Sequence, residues 1–507
     1  MAVQLGKRAG WLVTLATGCA VLLCAWASGQ ESNDAPVLRS STRLVVLDVV
    51  VSDARDRPVR GLSERDFKIL EDGVEQKLAS LDAPPDGRVQ TVSKRGDVGL
   101  ISSPTGTSIP ARNILLLDEL NSGILDNAYG RQSIEKYLRN HGPVLNQPTS
   151  LIILGQDHLE FAHDYTRDAA SLRDAMKQHH AELPFSKLTS GAQESVQRLA
   201  KTLWVLDQIA SANLHYAGRK NVIWVGSGFP DLSINAIAFS DREKFQTALR
   251  EMGGILFDAR VAVYTINPEG LTIAPELYED TFGDPTTGEL LFESLAPQTG
   301  GKIIRRQNQL DEVIAETIED GDSYYTLTYY PANHNWDSKF RNLKVVVNGR
   351  ELKVRTRKGY YATPSTPVSG TEADNVMSDA LVSPLPYRGL EVHASVAAAD
   401  AVSGKYVVRV DSGALSWQAL PSGKRRCQVT AVTATVGLGA RFSSHKVREL
   451  EAIVDEREFR KLSGKPVTFN FVAELPKSTH FVKVVVRDPA NGNIGSTEIP
   501  EAEFKRN

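Results

Sequence analysis

The chain has 507 residues, a formal net charge of −3, 41% hydrophobic and 23% charged residues. That length holds about two to four domains, and the composition is ordinary for globular protein. The near-neutral balance carries no electrostatic footprint for a nucleic-acid partner.

Lys7 and Arg8 precede the apolar run GWLVTLATGCAVLLCAWA, which ends in Ala25-Trp26-Ala27. A basic start, an apolar middle and a small-x-small end predict a signal peptide over residues 1–27, cleaved after Ala27. The product is then periplasmic or secreted. Two alternatives stay open. The run reaches the lower limit of a membrane span, so it could be retained as an anchor. Gly18-Cys19 is a weak lipidation site, and the bulky Leu23 before Cys24 makes a poorer one. Cleavage removes Lys7 and Arg8, taking the charge from −3 to −5, and leaves Cys427 alone of the three cysteines. No internal disulfide is then possible, and the fold must rest on sizeable cores. Cys427 is expected as a buried strand cysteine, or otherwise as an exposed thiol. No later run reaches spanning length, so no membrane span is expected in the mature chain.

Residues 28–40 are a small, polar leader. Residues 41–83 predict a small β domain: LVVLDVVVSD and FKILEDG are strand-like, an Asp-Gly turn follows, and VEQKLASLD can pair beside it. Ser63 caps a single helical turn with Asp66 at its third position. The unit is short for a sandwich, so it must borrow partners. Residues 84–111, rich in Pro, Gly, Ser and Thr, predict a linker.

From 112 to 330 strands and helices alternate. NILLLD, TSLIILGQD, KNVIWVGSG, VAVYTINP and KIIR read as strands. Helical spacing marks NAYGRQSIEKYLRNHG, RDAASLRDAMKQHHAEL, residues 192–216, REKFQTALREMGGILFDAR, ELLFESLAPQTGG and LDEVIAETIEDG. This grammar predicts an α/β fold, a parallel sheet covered by helices on both faces. SYYTLTYYP is placed as a strand completing that sheet. Residues 331–362 predict a β extension with an Asn-Gly hairpin, packing on the α/β or the N-terminal unit. Residues 363–387 read as a linker. Residues 388–507 predict a C-terminal β-sandwich-like domain, with helical spacing only in VRELEAIVDEREFRKLSG.

Several motifs fall in order: LVVLDVVVSDARDRPVRGLSERDFKILEDG, NILLLDELNS, VIWVGSGFPD, SYYTLTYYP and VRTRKGYY. Over residues 41–362 the layout resembles the VWFA-related proteins of the Acidobacteria type, within the von Willebrand factor A-like family. The resemblance implies a Rossmann-like sheet flanked by helices, and binding of protein ligands through a divalent cation. In that family an Asp-x-Ser-x-Ser at the end of the first strand, a Thr from a later loop and an Asp after a central strand hold the ion. Mg²⁺ needs about six hard oxygen ligands, which short polar side chains on tight loops can supply.

Here Asp118 and Ser122 match the first and last ligands, but Leu120 stands where the first serine belongs. The later Asp is replaced within Gly226-Ser227-Gly228, although Asp231 follows closely. Thr166 and Thr189 are equal candidates for the threonine, and Glu119, Asn121 and Asp126 are spare donors. Two readings remain. Either Asp118, Ser122 and Asp231 hold a weak Mg²⁺ or Ca²⁺ ion, or the site is vestigial and Asp118 caps its own turn.

The expected function is an exported adhesion-type module that recognises a protein or cell-surface polymer. Asp118, Glu119, Asn121, Ser122, Ser227, Phe229 and Asp231 form its ligand-facing edge. No catalytic set is seen, so no enzyme is expected. A structural envelope component and a hydrolase using Ser227 are the alternatives; GSGFP does not meet the hydrolase-elbow pattern. Of the adjacent His179 and His180, which cannot share one helical face, the helix C-terminus explains at least one.

Overall fold

The computed structural model describes residues 43–84, 109–156, 158–180, 192–228, 239–268, 295–305, 307–348, 351–364, 370–400, 402–438, 442–462 and 464–504. The predicted signal peptide and leader, most of the 84–111 linker, Thr189, Phe229 and Asp231 lie outside them.

The N-terminal part contributes β1 (Val45–Ser52), β2 (Phe67–Glu71), β3 (Val74–Gln76) and β4 (Leu78–Asp82). Asp72 and Gly73 both have positive φ, 49° and 82°, as the two-residue hairpin joining β2 to β3 requires. The Asp66 carboxylate accepts from the Ser63 backbone N–H at 2.8 Å and its hydroxyl at 2.9 Å, closing the predicted turn.

The α/β layer runs β5 (Arg112–Asp118), α1 (Ile124–Asn140), β6 (Val144–Leu154), β7 (Leu159–Asp168), α2 (Ala169–Gln178) and α3 (Ala192–Ala212). It continues through β8 (Lys220–Val225), α4 (Phe239–Asp258), β9 (Val261–Ile266), α5 (Leu295–Gln298), β10 (Ile303–Ile304) and α6 (Leu310–Asp322). The strand order is β10-β9-β8-β5-β6-β7. All neighbours are parallel except β6 and β7. The antiparallel edge has a local cause. The Gly155 N–H donates to the His158 carbonyl at 3.0 Å, a reversal far too short for a crossover. Leu115, Leu117 and Ile153 pack under α1, α2 and α6. Ile114, Leu116 and Trp224 pack under α3 and α4. This is the expected Rossmann-like sheet flanked by helices.

Next come β11 (Tyr325–Tyr329), β12 (Phe340–Val347), β13 (Lys353–Arg355) and β14 (Gly359–Tyr361). Strand β11 does not complete the α/β sheet; it pairs antiparallel with β1 and β4. Nor do β12 and β13 form a hairpin pair: β13 joins β1 and β14 joins β12. The two sheets β13-β1-β11-β4 and β14-β12-β2-β3 share a core of Leu47, Val49, Ile69, Leu327 and Val345. A segment too short to bury its own faces is completed by strands from the far side of the α/β layer. Within this core the buried Glu71 accepts from Tyr329 Oη (2.6 Å), Tyr360 Oη (3.0 Å) and the Arg341 guanidinium (3.0 Å), which satisfies an otherwise costly charge.

The predicted 363–387 linker contains α7 (Thr371–Val382). Its buried Ala373, Met377 and Ala380 recur at helical spacing. The C-terminal part holds β15 (Val392–Ala399), β16 (Ser403–Asp411), β17 (Gln418–Ala419), β18 (Lys424–Val436), β19 (Phe442–Asp455), α8 (Glu456–Lys461), β20 (Pro466–Glu474), β21 (Phe481–Arg487), β22 (Ile494–Pro500) and α9 (Glu501–Phe504). Its sheets β15-β16-β20 and β17-β18-β21-β22 enclose Tyr406, Val408, Val429 and Val484, the expected β-sandwich-like unit. The segment given helical spacing is helical only in α8. Residues 442–455 form β19, where Arg448, Leu450, Ala452 and Val454 alternate as the half-buried face. Strand order decides this, because β19 pairs along the full length of β18. Cys427 is buried in β18, and burial pushes its thiol up to about 11.

The C-terminal unit contacts the α/β layer directly. Met377, Leu385, Tyr387, Val432 and Ile494 join the core beneath α3 and α4. Arg388 bonds Asp164 and lies over the Tyr165 ring. Among the described residues no helix is long and apolar enough to cross a membrane.

Candidate functional site

From β5 the chain steps to β6 on one side and later to β8 on the other. The carboxyl ends of β5 and β8 therefore flank a topological switch point, where open α/β sheets characteristically place ligands. Asp118 ends β5, and Gly226-Ser227 follow β8.

The Asp118 side chain is completely buried. One carboxylate oxygen accepts the backbone N–H groups of Leu120 (3.0 Å) and Asn121 (2.9 Å). The other accepts Asn121 Nδ2 and Trp224 Nε1, each at 2.9 Å. A carboxylate offers about four lone-pair directions, and four donors occupy them. None of these donors is a cation. Burial pushes the Asp118 carboxyl up to about 6, against the opposing pull of those hydrogen bonds.

Leu120, in the position of the absent serine, is buried in the core beneath α3 and α4. Asn121 Nδ2 also reaches Thr202 Oγ1 of α3 at 3.0 Å. The threonine beside this loop is thus Thr202; Thr166 bonds within its own strand end instead. Ser122 Oγ accepts the Ser227 N–H at 3.0 Å. Among the described residues Ser227 Oγ is buried without a hydrogen-bond partner. The approach of the two loops demands glycine at 226: a Cβ there would lie 2.5 Å from Asp118 Cβ and 2.9 Å from Ser122 Oγ.

Glu119, also buried, accepts from His179 Nε2 at 3.1 Å, while His179 Nδ1 meets Glu160 at 2.6 Å. The hydrogen bond with Glu119 raises the His179 pKa against burial, and the bond with Glu160 adds to it. His179 also caps the C-terminus of α2, so the helix end accounts for part of its placement. Its clamp between two carboxylates, and the indole of Trp224, were missed in the sequence. Neither carries a spacing signal, because both pairings join distant elements.

The loop is consequently held by β8, α2 and α3 at once. Its polar residues Asp118, Glu119, Asn121 and Ser122 face inward. Directly after it, the first turn of α1 shows to solvent Ile124, 62% exposed, and Leu125, 83% exposed, with Tyr129 one turn further on. Among the described residues, no group of three or more His, Cys, Asp or Glu side chains is arranged to hold a metal ion.

No protein-family profile matches the chain, and no curated protein matches it. Solved structures give distant likenesses. Proximal thread matrix protein 1 from the mussel byssus is 12% identical with a TM-score of 0.25, over 42% of this chain and 48% of that one. The SpRpn10 VWA domain is 13% identical with a TM-score of 0.22, over 41% of this chain and 94% of that one. The pilus adhesin SpaC from Lactobacillus rhamnosus GG is 9% identical with a TM-score of 0.27, over 89% of this chain and 59% of that one. The chain thus spans about half the length of the first of these and 59% of the third.

Proposed function

We propose that the protein is an exported binding module of the VWFA-related type, without catalytic activity, that recognises a protein or cell-surface polymer at the carboxyl edge of its α/β sheet. The supporting observation is the exposed pair Ile124-Leu125, at the start of α1 directly after a turn whose polar residues are locked inward at the switch point. Apolar groups on a rigid support lose little entropy on binding, and exposed apolar side chains at such an edge suit recognition. On this reading Asp118, Asn121 and Ser122 shape the loop, and Ile124 and Leu125 meet the ligand.

The test is binding of labelled full-length protein to envelope preparations from the producing cells. The double variant Ile124→Asp/Leu125→Asp is expected to lose at least about tenfold in affinity while its thermal unfolding stays unchanged. Equal binding by the variant would place recognition elsewhere. Hydrolytic turnover that disappears in Ser227→Ala would instead make the protein an enzyme. N-terminal sequencing of the exported form, expected to begin at Ser28, tests the localisation.

A further inference from the structure

At the opposite, amino edge of the sheet, the N-terminal sandwich closes over a small cavity of about 10 Å³, room for one particle of water size. Asp48 of β1, Arg219 before β8, Phe257, Arg260 before β9, Thr299 and Arg357 after β13 line it. Arg260 and Asp48 form a two-pronged ion pair, with one Nε contact at 3.2 Å. Arg260 also bonds Thr326 Oγ1 at 3.1 Å. Arg219 donates Nε to Asn221 Oδ1 (2.8 Å), and Nη2 to Tyr264 Oη (3.1 Å) and the Gly300 carbonyl (3.2 Å).

Arg357 is different. It is only 8% exposed, and its guanidinium lies 4.1 Å from the Phe257 ring centroid. Among the described residues it has no hydrogen-bond acceptor, although Asp48 and Asp258 attract it. Asp258 is held by Arg43 at 2.8 Å. The cavity thus gathers three guanidinium groups around one carboxylate. Two further charged residues lie beside it. The buried Lys220 donates to the Tyr216 carbonyl, and Asp82 attracts Arg260. Burial, with repulsion from Arg219 and Arg260, pushes Arg357 down to about 9. An unpaired buried cation is costly, and water supplies no charge to offset it.

We propose that this cavity binds a single halide-sized anion, chloride in ordinary media, between Arg357 and Arg219 and beside the Arg260–Asp48 pair. Arg219 and Arg260 belong to the α/β layer, whereas Asp48 and Arg357 belong to the sandwich. The anion therefore fastens one to the other.

The test is thermal unfolding of the full chain in sodium chloride, bromide and gluconate at equal ionic strength. The wild type is expected to unfold at least about 2 °C higher in the halides, and Arg357→Met to lose that difference. A general salt effect would persist in the variant and overturn the proposal, as would identical wild-type unfolding in all three salts. Should Arg357→Met not fold, bromide-soaked crystals of the wild type decide. An anomalous peak within hydrogen-bond distance of Arg357 supports the site, and its absence there overturns it.

Discussion

Two aspartates stand at opposite edges of one sheet, one buried and one nearly so, and their surroundings are nearly inverse. Asp118, at the carboxyl edge, is surrounded among the described residues by neutral donors and no cation. Burial therefore wins and its carboxyl rises to about 6. Asp48, at the amino edge, is less completely buried, with its side chain 8% exposed, and desolvation also pushes it up. Arg260, with Arg219 and Arg357, outweighs that and holds it below the usual carboxylate range. At Asp118 four neutral donors do not offset desolvation, whereas at Asp48 nearby formal charges do. The carboxyl edge is a closed scaffold in which Asp118 meets only neutral donors, while the cavity at the amino edge gathers three guanidinium groups around one carboxylate.

The sharpest way to break this contrast is to remove each carboxylate. Asp48→Ala leaves buried guanidinium groups uncompensated and is expected to cost about 5 kcal/mol in urea unfolding. Asp118→Ala strands four donors and is expected to cost about 4 kcal/mol by the same measurement. A larger loss at Asp118 than at Asp48 would contradict the comparison.

The pH dependence should separate them next. The folded pKa of Asp118 lies above its ordinary value. Its contribution is therefore full below pH ~3.8 and lost as the pH rises through about 6, a swing of about 3 kcal/mol. Asp48 runs the other way: its contribution is present above the ordinary carboxylate value and lost as the pH falls through its depressed pKa. Stability of the wild type relative to Asp118→Asn, measured from pH 3 to 8, is expected to fall with rising pH.

A smaller effect is expected at His179. His179→Gln weakens the clamp on Glu119 and should cost about 2 kcal/mol at pH 6. The raised pKa makes this contribution full below about pH 6.5 and lost as the pH rises through the folded value. A pH series of the two proteins should converge at alkaline pH. The smallest expected effect is null. Calorimetric titration with Mg²⁺, Ca²⁺ or Mn²⁺ to millimolar concentration should give no heat, because Asp118 has no free lone-pair direction. Measurable binding would mean that the loop opens to make one.

Much of the architecture is legible locally. The strands LLL, LII and VIWV announce burial on both faces, and the amphipathic helices follow from spacing. The Asp72-Gly73 hairpin and the Ser63-Asp66 turn are matters of a few adjacent residues. The errors lie where pairing is non-local. Strand β11 is apolar enough for either sheet, and only its register against Val45–Val49 places it in the sandwich. Helix α7 hides in a segment flanked by proline and glycine, since its three buried residues are small or flexible. In VRTRKGYY the guanidinium groups of Arg355 and Arg357 lie over the rings of Tyr264 and Phe257, on distant elements, and not over the adjacent Tyr360 and Tyr361.

The sequence by itself determined that Asp118 ends a buried strand and that Leu120 and Ser227 break the ion-binding pattern. It also determined the alternation that makes an α/β layer. Only the tertiary structure decided what fills the place around Asp118. Trp224 lies on a different strand, Thr202 on a helix and His179 at the end of another. Hydrogen bonds between such elements depend on strand order and helix packing, which no local spacing encodes. The same holds at the amino edge, where arginines distant in the chain share one cavity because two β segments close into a sandwich against the sheet.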